Sequence, residues 1–122
     1  MIIHGREVGF RMTVGATLEI AKLTPHQSIE EISDVLAEAT FAGQVELVAA
    51  FIAAMSKGDE EARKYESPGY VPHPLTVAEI LTLDMRQLSE LQTAAMAAYV
   101  NDSEQTVETE EPKKDEAPPG SA

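Results

Sequence analysis

The chain has 122 residues, 21 of them acidic and 9 basic, giving a net charge of −12 and a pI near 4.5. That charge repels phosphate backbones and excludes DNA and RNA as partners. The chain is long enough for a single domain, and its 43% hydrophobic content supplies one modest core.

Cysteine is absent, which removes disulfide scaffolds and thiol nucleophiles and fits a reducing compartment. Tryptophan is also absent and aromatics reach only 5%, so alanine-rich helix packing is favoured over a large aromatic core. No apolar run follows a basic region at the N-terminus, so no secretory signal is expected and the protein is placed in the cytoplasm.

In chain order, Ile2 and Ile3, a turn over His4 to Glu7, and the alternating Val8, Phe10 and Met12 predict a small hairpin, with Gly5 supplying positive φ. Two strands alone are marginal, so the hairpin is expected to lie on a helix. Thr13 caps a helix to about Leu23, with Val14, Leu18, Ile20 and Ala21 facing inward and Thr24-Pro25 ending it. Ser28-Ile29-Glu30-Glu31 has the spacing of a capping box and opens a helix with the stripe Ile29, Ile32, Val35, Leu36.

Thr40 to Met55 organises the chain. It is apolar nearly all round, it is too short to span a bilayer, and it carries Glu46. Two readings are open: a core helix wrapped on several sides, or a helix whose spare apolar face is covered when a partner arrives. Lys57-Gly58 predicts its end, with Gly58 as C-terminal cap and a separate short helix over Glu60 to Tyr65. Three prolines and Gly69 between Ser67 and Pro74 predict an extended connection.

Thr76 with Glu79 predicts a second capping box on a short helix to about Leu83. Asp84 opens the last helix, striped by Met85, Leu88, Leu91, Gln92, Ala95, Met96 and Tyr99. From Asn101 onward apolar residues nearly vanish, so 101–122 is expected to be a disordered acidic tail behind a helical domain of residues 1–100. The fold class is therefore mainly α: a hairpin packed on about five helices, then the tail.

The chemistry of catalysis is missing. His4, His26 and His73 sit beside turns or prolines, without the one-turn helical spacing of a zinc motif. The serines form no nucleophile elbow, and the glycines form no phosphate-binding fingerprint. No catalytic residue, metal site or cofactor is expected, and acidic pairs such as Asp34 with Glu38 read as solvated helix faces. What remains is a surplus of alanine, methionine and other apolar residues on two helices. The candidate partner-binding residues are Val48, Ile52, Met55, Leu88, Leu91, Met96 and Tyr99, with Tyr70 presented by the proline-rich connection.

Three pieces in fixed order carry a resemblance. They are the opening Ile3-His4-Gly5-Arg6-Glu7-Val8-Gly9-Phe10 with the helix from Thr13 to Ala21; the central run Ser56 to Pro72, containing Glu60-Glu61-Ala62-Arg63-Lys64-Tyr65-Glu66-Ser67-Pro68-Gly69-Tyr70; and Pro74-Leu75-Thr76-Val77-Ala78-Glu79-Ile80. With the acidic tail, this resembles the tail assembly chaperones of long-tailed bacteriophages and prophages of Gram-positive hosts. The resemblance implies a non-catalytic protein of the host cytoplasm that binds the tape measure protein, keeps it soluble and helps recruit the tail tube protein. It would leave before the virion is complete.

The resemblance also implies a programmed frameshift that yields a longer form of the chain as a further partner. Pro112-Lys113-Lys114 can be encoded as CCA AAA AAG, a slippery stretch. No nucleic-acid or membrane partner is implied. The alternative is a small structural component of the tail or head-tail junction that stays in the particle.

Overall fold

A computed structural model describes the backbone of residues 1–110 and the side chains of residues 1–102. It is mainly helical. β1 (Ile2–Ile3) and β2 (Arg6–Glu7) pair antiparallel in the register Ile2 with Glu7 and Ile3 with Arg6. The turn is shorter than expected: His4 at φ 50° and Gly5 at φ 79° are its two central residues, the left-handed pair that matches strand twist in tight hairpins. Ile3 and Val8 enter the core, and residues 8–12 run extended without strand pairing.

Thr13 caps α1 (Val14–Ala21), its hydroxyl accepting the Ala16 N–H at 3.1 Å. The buried residues of α1 are Ala16 and Ile20, whereas Val14 and Leu18, expected inside, are exposed. The reason is a close approach to the next long helix, described below, that fixes the rotation of α1. A 3-10 turn (Ile29–Glu31) and α2 (Ile32–Glu38) follow. The expected capping box at Ser28 does not form. Instead the Thr24 hydroxyl accepts the Ser28 N–H, and the Glu31 carboxylate turns back to His26.

α3 (Phe41–Glu66) is one helix of 26 residues, capped by Thr40, where the sequence predicted a break at Gly58 and two helices. Gly58 does not end it, because the glycine is needed for packing. A Cβ at this position would stand 2.7 Å from the Arg11 carbonyl, 2.8 Å from the Thr13 hydroxyl and 3.2 Å from the Ala16 Cβ. The missing side chain lets the 8–12 segment lie on the helix, where the Arg11 N–H donates to the Met55 carbonyl at 3.1 Å.

The second half of α3 carries a buried polar row that serves the irregular segments around it. Ser56 Oγ accepts the Leu75 N–H at 2.9 Å. Asp59 lies between the guanidinium groups of Arg63 at 2.8 Å and Arg11 at 3.3 Å. Glu60 accepts the Tyr70 hydroxyl at 2.6 Å and the His73 N–H at 2.8 Å. Extended chain has no hydrogen-bond partners of its own, and these side chains provide them.

α4 (Val77–Ile80) begins with the expected box: Thr76 and Glu79 each bond the other's backbone N–H. Glu79 also receives Arg6 at 3.1 Å, which ties the hairpin to α4 and holds the Glu79 carboxyl below its usual range. α5 (Met85–Glu110) starts at Asp84, whose carboxylate accepts the Gln87 N–H at 2.8 Å. The core gathers Ile3, Ile20, Ile52, Met55, Leu75, Ile80 and Leu91 around α3.

α5 crosses the boundary expected at Asn101, because Asp102 is bonded back into the domain. Its Oδ2 accepts the Met12 N–H at 2.7 Å. The rest of the expected tail, including Pro112-Lys113-Lys114, lies outside the described residues from 111 onward.

Candidate helix-binding groove

The surplus apolar surface lies between three helices. Ile29, Ile32 and Leu36 from the 3-10 turn and α2, Leu47, Val48 and Phe51 from α3, and Met96 and Tyr99 from α5 line an open groove of about 270 Å3. Its polar lining is limited to Glu30, Ser33 and Gln92. Phe51 and Tyr99, both in the lining, meet edge to face, with centroids 5.7 Å apart and planes at 62°.

A second depression of about 330 Å3 continues the groove toward the start of α3, adding Phe41, Gln44, Val45, Met85 and Leu88. Leu36, Val48 and Gln92 line both hollows, so the two form one trough. Phe41 is 71% exposed, Met85 61% and Met96 42%, values that leave large side chains standing in water. Along α3 the trough runs from Phe41 to Phe51, about 15 Å at ~1.5 Å per residue, the length of roughly three helical turns.

The sequence-predicted residues separate into three groups. Val48, Met96 and Tyr99 line the trough, and Leu88 sits at its floor. Ile52, Met55 and Leu91 are fully buried and present no surface to a partner, because their helix faces turn into the core. Tyr70 lies elsewhere, its hydroxyl held by Glu60, which raises the phenol above its ordinary pKa.

Sequence reasoning missed Leu47, Phe51 and the lining role of Ile29, Ile32 and Leu36. The signal was present as a four-residue step from Leu47 to Phe51, hidden in a helix apolar on every face.

A further cleft of about 310 Å3, floored by Ala50, Ala53 and Ala54, lies between α1, α3 and residues 74–77, bridged by Lys57 and Glu19 at 2.6 Å. The ion pair raises the Lys57 pKa and keeps the ammonium charged beside this cleft. His26 and Glu31, 2.6 Å apart, lie on an exposed turn and are not part of the trough lining. Among the described residues no group of three or more His, Cys, Asp or Glu is placed to hold a metal ion, and no helix is long and apolar enough to cross a membrane.

No family model matches the chain, and neither a curated protein nor a solved structure matches it.

Proposed function

We propose that the protein is a non-catalytic assembly chaperone of a long-tailed bacteriophage that binds the tape measure protein. The observation that carries this reading is the open apolar trough between α2, α3 and α5. Its length and its lining of leucine, isoleucine, phenylalanine and methionine suit an amphipathic helix, which would place i, i+3 and i+7 side chains along it. Methionine side chains adapt to many apolar shapes, so such a surface needs little sequence specificity.

A tape measure protein is a long helix whose apolar stripes aggregate when bare. Covering those stripes turn by turn keeps it soluble, and the acidic exterior of this chain, −7 over residues 1–100, opposes self-association of the complex. The resemblance of the hairpin, the central run and the Pro74 to Ile80 segment to tail assembly chaperones supports the same reading. On this reading the protein works in the cytoplasm of the bacterial host, helps recruit the tail tube protein, and leaves before the particle is finished.

Co-expression with the tape measure protein of the same genome tests the proposal. The tape measure protein is expected in the soluble fraction with this chain and in the pellet without it. Finding this chain in purified particles in fixed stoichiometry would favour a structural component instead.

A further inference from the structure

Cysteine is absent, so the 5 methionines carry all the sulfur of the chain. A peroxide finds no thiolate here, and the sulfur open to it is thioether. The fold sorts the methionines into three environments. Met55 is fully buried in the core. Met1 and Met12 are half-buried and pack against the core from the N-terminal segment. Met85 and Met96 are exposed, at 61% and 42%, and belong neither to the buried core nor to the side chains packed on it.

The two exposed methionines share one surface. Both lie on α5, and the step from Met85 to Met96 is about three helical turns, which brings them back to one face of the helix. Met96 lines the first hollow of the trough and Met85 the second. The rest of the lining is aliphatic, aromatic, hydroxyl, amide or carboxylate, so these two side chains are the points at which dilute peroxide can change the polarity of the trough.

We propose that Met85 and Met96 form a peroxide-responsive pair that switches the trough from apolar to polar. The thioether sulfur attacks one oxygen of hydrogen peroxide, the O–O bond breaks and an S–O bond forms. Sulfur loses two electrons, and the transferred oxygen gives its proton to the departing hydroxide, which leaves as water. Each sulfoxide is a polar group and a hydrogen-bond acceptor where an apolar guest would lie. Gln92, one turn before Met96 and in the lining of both hollows, offers an amide donor that holds a sulfoxide oxygen over the trough. The core is untouched, so the fold survives the change, and a sulfoxide reductase reverses it. The switch rests on the reading of the trough as an apolar binding surface.

Peptide-mapping mass spectrometry of the full chain in dilute hydrogen peroxide tests the site. Met85 and Met96 are expected to gain one oxygen each at least about tenfold faster than Met55, with the circular dichroism spectrum retained. Oxidation of Met55 in step with the other two, or loss of helicity as Met85 and Met96 react, would overturn the proposal.

Nile red, a neutral dye that fluoresces on apolar surfaces, tests the switch. Its binding to the chain is expected to fall at least about fivefold after peroxide treatment. The double variant Met85→Leu with Met96→Leu is expected to bind the dye before and after peroxide alike, and Met85→Gln with Met96→Gln to bind it as weakly as the oxidised chain. Dye binding to the natural chain that peroxide leaves unchanged, with both sulfoxides formed, would overturn the switch and leave the proposed function standing. Dye that binds no form would remove the trough as an apolar binding surface, and with it both the switch and the proposed function.

Discussion

Gly58 and Arg11 touch through their backbones: a Cβ on the glycine would stand 2.7 Å from the arginine carbonyl oxygen. This contact lets one 26-residue helix carry both the hydrophobic core and the polar row that binds the irregular segments. Alanine normally favours a helix over glycine by about 1 kcal/mol, yet Gly58→Ala is expected to destabilise the protein by about 1–3 kcal/mol, since neither the carbonyl nor Thr13 and Ala16 can yield without shifting α1. Gly15 is the control. It lies exposed in α1, where a methyl group would meet nothing closer than 3.8 Å, so Gly15→Ala is expected to raise stability by about 0.4–1 kcal/mol. Urea unfolding of the two variants measures both signs.

Val48 and Ile52 stand one turn apart on α3 and answer differently to a charge. From sequence, Val48→Asp is expected to unfold the domain. Val48 lines the open trough, however, so its aspartate reaches water and costs about 1–2 kcal/mol. Ile52 is fully buried, and Ile52→Asp is expected to cost more than about 4 kcal/mol and abolish cooperative unfolding. Circular dichroism melts separate the two, and if the proposed function holds, folded Val48→Asp is expected to fail to keep the tape measure protein soluble in co-expression.

The Glu60 carboxylate holds the proline-rich connection through Tyr70, and it raises the phenol pKa by accepting its hydrogen bond. A raised pKa in the folded state means that this contribution is complete below the unfolded value near 10 and fades as the pH climbs through the folded value. Spectrophotometric titration of the tyrosines is expected to show one phenol ionising late, and Glu60→Gln should bring it back toward the ordinary range.

His26 donates to Glu31 on an exposed turn, and that partnership raises the imidazole pKa above 6.5 while lowering that of the carboxyl. The histidine contribution is complete below its unfolded pKa and is lost as the pH rises through the folded one; the glutamate contribution is present above its own unfolded pKa and is lost on acidification. NMR titration of the His26 ring is expected to give a midpoint above 6.5 that falls in Glu31→Gln.

Much of the fold is legible in local chemistry. Gly5 announces the hairpin turn, Thr13, Thr76 and Asp84 announce helix starts through their hydroxyl or carboxylate caps, and each forms as the spacing predicts. The errors share a cause: each is a signal overruled by a contact that only the folded chain makes, from a distant segment at Gly58 and α1 and from the preceding turn at Ser28. Gly58 reads as a cap because nothing in the sequence places Arg11 against it. Val14 and Leu18 read as inward because the rotation of α1 is set by Ala16 meeting that glycine. Ser28 reads as a capping box because Thr24 and His26 compete for the same partners only once the turn is formed.

The trough was harder to read. A helix apolar on all sides does not say which side faces the core, so Val48, on the open face, and Met55, in the core, look alike in sequence.

Methionine methyl NMR gives the most direct test of the trough as the helix-binding site. Met85 and Met96 stand in the trough, whereas Met55 is fully buried in the core. On adding a soluble helical segment of the tape measure protein to chain labelled at the methionine methyls, the Met85 and Met96 signals are expected to shift and saturate together while Met55 stays in place. Unchanged Met85 and Met96 signals in a complex that nevertheless forms would contradict the account and place the partner on another surface.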